Sequence, residues 1–292
     1  MTDPQRQRVT LGSVALMLGA AASNQVGAGI GAHAFPQLGP AGVVAVRQLV
    51  AAAVLLPTAR PPFRRMTWNQ WWPALLLACV FAAMNLSLYT SIARIGLGLA
   101  VTLEFLGPLA VALIGSHSRR DLATALVVGV SVYVLVLPDG RSDWPGILLG
   151  IFAAACWAAY IVLNRVVGRR LPGLQGPAVA TSLSLLMYTP VLLHLWADGA
   201  LSGRPLLYAM TAGVMSSAVP YALDLLALRR VPPRLFGIFM SAHPAMAALA
   251  GLIILHQRLA LHELVGMTAI VLTNIYAVAS HRPTPPESAP LT

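Results

Sequence analysis

The chain has 292 residues, 58% of them hydrophobic and only 10% charged, with a mean hydropathy of +0.75. Its net charge of +10 comes from 19 arginines with no lysine, dealt out beside apolar runs rather than gathered into a patch or stripe, which excludes nucleic acid as the partner and suits anionic headgroups. Cys79 and Cys156 both fall inside apolar runs, excluding a disulfide framework or a metal-binding cysteine pair and leaving them as small packing groups.

Ten apolar stretches follow in chain order, at 9–32, 41–57, 72–93, 97–116, 122–138, 146–164, 176–196, 206–228, 234–254 and 263–280, each long enough to cross a bilayer. The first follows Arg6 and Arg8 and ends near Ala32-His33-Ala34, the outline of a signal peptide, but its apolar run is too long for a signal core and it is expected to remain a helix. Trp68, Trp71 and Trp72 read as an interfacial belt at the inner end of the third span. With a cytoplasmic N-terminus, the inner segments hold Arg6, Arg8, Arg60, Arg64, Arg65, Arg119, Arg120, Arg165, Arg169, Arg170, Arg229, Arg230, Arg234 and Arg282. The outer loops hold only Arg94, Arg141, Arg204 and Arg258. The expected fold is an all-α integral membrane protein of ten transmembrane helices with both termini cytoplasmic. Residues 1–8 form a cytoplasmic tail, 9–138 a first five-helix unit, 146–280 a second, and 281–292 a disordered cytoplasmic tail too short and polar to fold.

The two units share a pattern. Ser91-Ile92-Ala93-Arg94-Ile95 and Pro108-Leu109-Ala110-Val111-Ala112-Leu113 recur 136 residues later as Ala227-Leu228-Arg229-Arg230-Val231 and Pro244-Ala245-Met246-Ala247-Ala248-Leu249. A unit with an odd number of spans, used twice, sits upside down relative to its copy, as in many secondary transporters. The alternative is coincidence between Ala- and Leu-rich helices. Gly27-Ala28-Gly29-Ile30-Gly31 and Gly146 with Gly150 place small residues where helices approach closely. Pro108 and Pro244 are candidate helix breaks, each freeing a backbone carbonyl that needs protein or a wet cavity to satisfy it, or else simple kinks.

At about 1.5 Å per residue, Gln25, Arg47, Asn85 and Glu104 fall roughly 10–12 Å below the outer surface on four different spans. Ionisable groups at that depth face a bundle interior and have partners, so Arg47 and Glu104 form the natural pair, with Gln25 and Asn85 as hydrogen-bonding neighbours. Two readings stand: a static ion pair that fixes packing, or a zwitterion site in which Arg47 faces a carboxylate and Glu104 an ammonium group or a coupling proton. In the second half Tyr160, Tyr221, Asp224, Ser241 and His243 lie about 6–14 Å from the inner ends. His243 is a second proton-coupling candidate or a neutral core histidine. Asp224 suits an anchor beside Arg229 and Arg230. Trp157, Tyr160 and Tyr221 suit the wall of a pocket for a partly apolar solute, or plain core.

The segments Leu103-Glu104-Phe105-x-Gly107-Pro108-Leu109-Ala110-Val111-Ala112-Leu113, Ala155-Cys156-Trp157-Ala158-Ala159-Tyr160 and Val219-Pro220-Tyr221-Ala222-Leu223-Asp224 resemble the EamA family of the drug/metabolite transporter superfamily, most of all its bacterial threonine/homoserine exporter branch. The likeness runs from about Ser23 to Leu261. It implies two inverted five-helix repeats around a central cavity, alternating access, and export of amino acids or related metabolites across a bacterial inner membrane. The chain departs where the family commonly has Ser-x-Glu-Pro and a later Gly-Glu: here stand Ser241-Ala242-His243-Pro244 and His256-Gln257. That puts the usual coupling or charge preference in question.

The first functional reading is therefore a proton-driven secondary exporter of small amino acids, without cofactor, metal or nucleotide, whose partners are a small-molecule solute and the lipid bilayer. Monomer and homodimer both stay open. A broad exporter of aromatic amino acids or drugs is the alternative. A membrane-embedded enzyme lacks motif support: no Walker lysine, His-Glu-x-x-His or Gly-x-Ser-x-Gly is present.

The arginine asymmetry predicts that a cysteine placed at Ser142 is labelled by an impermeant reagent in intact cells, whereas cysteines at Arg64 and Arg169 are labelled only after permeabilisation. The opposite pattern would invert the orientation.

Overall fold

The structure is a computed structural model that describes residues 11–113, 119–136, 143–220, 223 and 240–280. The expectations about Tyr221, Asp224, Arg229, Arg230, Arg234 and both tails lie outside those residues. All regular elements among the described residues are helical. Helix α1 spans Leu11–Ala32 and α2 spans Phe35–Ala59; α2 bends at Gly39, whose φ of 65° leaves the helical region just before Pro40. Helix α3, Trp68–Ile95, starts on a capping box of Thr67 and Gln70 and stops at Gly96, φ 88°. Then come α4 (Leu97–Glu104), α5 (Leu106–Leu113), α6 (Arg119–Val136), α7 (Trp144–Gly168) and α8 (Gln175–Ala197). Helix α9, Gly203–Gly213, runs directly into a π-helical turn over Val214–Ala218, and α10 (His243–Ile254) and α11 (Leu261–Ser280) complete the described chain.

Four of these helices, α2, α3, α7 and α8, are long and apolar enough to cross a membrane by themselves. Their outward side chains, such as Leu76, Leu86, Leu148, Phe152 and Leu186, are exposed, which fits acyl chains rather than water as the solvent.

The fourth span was expected as one helix over 97–116; the structure breaks it at Phe105. Pro108 has no N–H to offer the Glu104 carbonyl, so α4 ends at Glu104 and α5 begins afresh at Leu106. Pro244 stands at a break of the same kind: it has no N–H to offer the Met240 carbonyl and occupies the first turn of α10, just after a turn at Ser241 and Ala242. Phe105 and Ser241 are 136 positions apart, so both discontinuities fall at the same place in the sequence pattern.

The packing comes in exchangeable pairs. Helix α3 lies along α7 as α9 lies along α1; α8 meets α3 as α2 meets α9; α5 meets α7 as α10 meets α1. The pairs α2 with α8 and α6 with α11 map onto themselves. Shifting these elements by 136 residues reproduces these neighbours. At one end of the bundle, Gln257 Oε1 accepts from the Leu97 N–H at 3.0 Å and Arg94 Nε donates to Asp143 Oδ1 at 3.0 Å, tying α10 to α4 and α3 to α7.

Close backbone approach sets this packing. A Cβ on Gly107 would press into the carbonyl oxygen of Ala154 in α7, and one on Gly27 would meet Met215 Cβ at 2.7 Å in the π turn. Gly129 on α6 faces nothing within 4 Å. Gly107→Val is expected to destabilise the folded protein by about 1–3 kcal/mol through overpacking, read as a lower melting midpoint in detergent. Gly129→Ala is the control and should leave the midpoint unchanged or raise it.

Candidate functional site

Six helices carry polar or aromatic side chains into one cavity of about 180 Å³. Its wall includes Asn24 and Gln25 of α1, Arg47 of α2, Asn85 and Tyr89 of α3, Glu104 and Phe105 at the α4 break, Trp157 and Tyr160 of α7, and His243 of α10. Gln25, Arg47, Asn85 and Glu104, which share one depth in the sequence, thus share one cavity. Ser241 is buried but is not part of the wall, and Tyr221 lies outside the described residues.

Arg47 is held by neutral groups. Its Nη1 donates to Asn85 Oδ1 at 2.9 Å and its Nη2 to the Ser216 carbonyl at 3.4 Å, while the guanidinium lies 5.1 Å from the centre of the Tyr89 ring. Asn85 is oriented for this because its Nδ2 donates to the Phe81 carbonyl at 2.8 Å. The Ser216 carbonyl is available because it sits in the π turn, where the helical ladder is disrupted. That turn is stitched to α1 by Ser23 Oγ donating to the Met215 carbonyl and Ser216 Oγ donating to the Asn24 carbonyl, at 2.8 and 2.7 Å.

The expected Arg47–Glu104 ion pair is not formed. Among the described residues no basic nitrogen lies within 4.0 Å of the Glu104 carboxylate. The physical reason is that Arg47 is already engaged by an amide, a carbonyl and an aromatic face, which draw it toward α3 and the π turn. A half-buried cation and a buried carboxyl therefore face the same small cavity without neutralising each other directly.

The opposite wall is aromatic. The Phe105 ring stacks on His243, centroids 5.5 Å apart at 30°, and meets Trp157 edge-on at 4.7 Å. His243 also touches Gln25, Nδ1 to Nε2, at 3.2 Å. Tyr160 stacks on Phe81 at 5.7 Å. At the bundle end, the Gly146 N–H, ahead of Arg94, holds the Asp143 carboxyl below the usual carboxylate range. Among the described residues no group of three or more His, Cys, Asp or Glu stands close enough together to hold a metal ion.

Sequence reasoning missed four participants: Tyr89, Asn24, Phe105 and the Ser216 carbonyl. Tyr89 follows Asn85 by one helical turn and so shares its face, a signal present in the spacing. The Ser216 carbonyl leaves no trace in side-chain chemistry.

Comparison with known proteins follows from this geometry. Residues 144–278 match the model of the EamA-like transporter family. The chain is 34% identical over 272 residues to the threonine/homoserine exporter RhtA of Escherichia coli (strain K12), covering 88% of each chain. It is 32% identical over 279 residues to the exporter of the same name from Salmonella typhimurium (strain LT2), covering 93% of each. A solved structure described as "Crystal structure of protein" shares the fold, with a TM-score of 0.57 and 17% identity over 91% of this chain and 98% of that one.

Among the described residues the buried Tyr89 hydroxyl has no hydrogen-bond partner, whereas the buried Tyr188 hydroxyl donates to the Ala82 carbonyl at 2.7 Å. Tyr89→Phe is therefore expected to leave thermal stability within about 0.5 kcal/mol of wild type, and Tyr188→Phe to cost about 0.5–1.5 kcal/mol, one hydrogen bond to a carbonyl that keeps its place in the α3 ladder. Melting curves of the two variants in the same detergent check this.

Proposed function

This chain belongs to the EamA-like transporter family, and we propose that it is a secondary exporter of small amino acids, threonine- or homoserine-like, or of closely related metabolites. The observation that carries this is the cavity in which Arg47 and Glu104 face one space without pairing. A zwitterion is the complement of that arrangement, its carboxylate directed to Arg47 and Asn85 and its ammonium group to Glu104. The relatives named as threonine/homoserine exporters support the same solute class.

In this reading the chain makes ten spans in two inverted five-helix units in a bacterial inner membrane, termini inside, and works by alternating access. The exchangeable helix pairs and the two breaks 136 residues apart support the duplicated construction. Glu104 carries either a proton or the ammonium group of the solute, so the arrival of one releases the other. Such competition at a single carboxyl exchanges inward protons for outward solute.

The alternative, export of aromatic amino acids or drugs, draws on the aromatic wall of Phe105, Trp157 and Tyr160. The cavity volume of about 180 Å³ argues against drug-sized solutes, whose pockets run to about 300–1,000 Å³. The aromatic groups then serve as an apolar flank for a short side chain.

The test is Glu104→Gln, measured beside Arg47→Leu and the double variant in everted vesicles with an inside-acid gradient. Wild-type protein should drive threonine or homoserine uptake, and Glu104→Gln should abolish it while membrane abundance and melting stay near wild type. A structural ion pair would behave otherwise, losing about 3–5 kcal/mol when one partner is removed. Wild-type uptake with unchanged pH dependence in Glu104→Gln would refute the coupling role.

A further inference from the structure

At the start of α3, the end opposite Arg94, a proline in the first turns leaves a carbonyl open. Pro73 has no N–H to offer Asn69, and Arg170, just past the end of α7, takes its place: Arg170 Nη1 donates to the Asn69 carbonyl. Gln70 Nε2 donates in turn to the Arg170 carbonyl at 3.0 Å, so the first turn of α3 holds this arginine by backbone and side chain alike. Its guanidinium lies 4.9 Å from the centre of the Trp72 ring. The other guanidinium N–H groups have no protein partner among the described residues.

The surroundings of this pair are basic and unbalanced. A 3-10 turn over Phe63–Arg65 packs on the same end of the bundle: Phe63 stacks on Trp71 at 6.2 Å, and both pack in one apolar cluster with Val167 and Leu171. The adjoining Arg64, Arg65 and Arg169 are exposed. The salt bridges among the described residues, Arg94–Asp143 and His194–Asp198, both lie at the opposite end, and none of these four arginines has an acidic partner among them. Like charges gathered in this way repel one another, and an anion brought to the same place relieves them.

The depth of the patch selects the anion. Trp68, Trp72 and Leu76 follow one another at successive turns of α3 and are 71%, 38% and 46% exposed, a stripe that runs from the helix start into the lipid-facing surface. Exposed tryptophans at the start of a membrane-crossing helix mark the headgroup level. Arg170 stacks on Trp72 at that level, where the neighbouring anion is the phosphate of a phospholipid, and guanidinium N–H groups suit phosphate oxygens. We propose that Trp72 and Arg170, with Arg64, Arg65 and Arg169 around them, form a binding site for the headgroup of an anionic phospholipid, which braces the first turn of α3 against the end of α7. The assignment is independent of the solute that the cavity carries.

The experiment is native mass spectrometry of the purified, delipidated full-length protein in detergent, titrated with phosphatidylglycerol or with phosphatidylcholine of the same acyl chains. Wild type is expected to hold phosphatidylglycerol more tightly than phosphatidylcholine. Arg170→Gln and the double variant Arg64→Gln/Arg65→Gln should each weaken phosphatidylglycerol binding, by about fivefold per arginine removed, and leave phosphatidylcholine binding unchanged. The double variant alters exposed side chains only, so it reads binding even where Arg170→Gln loosens α3 from α7. Arg204→Gln removes an exposed charge at the start of α9, at the opposite end, and should change nothing. Equal binding of the two lipids by wild type overturns the assignment, as does undiminished phosphatidylglycerol binding in both arginine variants or an equal loss in Arg204→Gln. Inorganic phosphate at millimolar concentration should not displace the lipid; displacement would mark a site for small anions and overturn the assignment as well.

Discussion

A guanidinium set among apolar helices needs partners for its charge and for most of its N–H groups, and much of the central bundle is arranged around Arg47. Asn85 reaches it from α3, the Ser216 carbonyl from the π turn, and the Tyr89 ring covers its face. The π turn is in place because Gly27 lets it approach α1 and because Ser23 and Ser216 cross-link the two backbones. Its Nε keeps no protein partner among the described residues, and the Glu104 carboxyl is left to the cavity. The site stays charged because its cation is satisfied by dipoles rather than by the nearby carboxyl, which would have neutralised it.

The second constraint is backbone accounting. In a bilayer, helix ends and breaks are costly unless protein or a wet cavity meets their polar groups. The break at Phe105 and the turn at Ser241 and Ala242 both lie beside the cavity, with Glu104, Phe105, Met240 and His243 on its wall. Discontinuities that would be defects on a lipid-facing helix therefore sit beside the cavity, and they present Glu104 and His243 to it.

The two halves share a sequence pattern and differ in chemistry. Positions 136 apart carry Arg47 and Leu183, Asn85 and Tyr221, Glu104 and Met240. Charge is concentrated in the first half, while the second supplies Trp157, Tyr160 and His243 to the wall. Polar groups of the first half thus face aromatic groups of the second across one cavity.

The sequence alone determined the helical class, the apolar runs, the repeat offset and the depth shared by Gln25, Arg47, Asn85 and Glu104, because hydropathy, period and length are local properties of the chain. It also singled out Pro108, whose missing N–H breaks the fourth span whatever surrounds it. Only the tertiary structure decided who pairs with whom. Equal depth cannot distinguish a side chain turned toward Glu104 from one turned toward Asn85, and the competing acceptor, the Ser216 carbonyl, is exposed by a π turn that no residue type announces. The meeting of Gln25 with His243 is of the same kind: two residues 218 positions apart become neighbours only when α1 packs against α10.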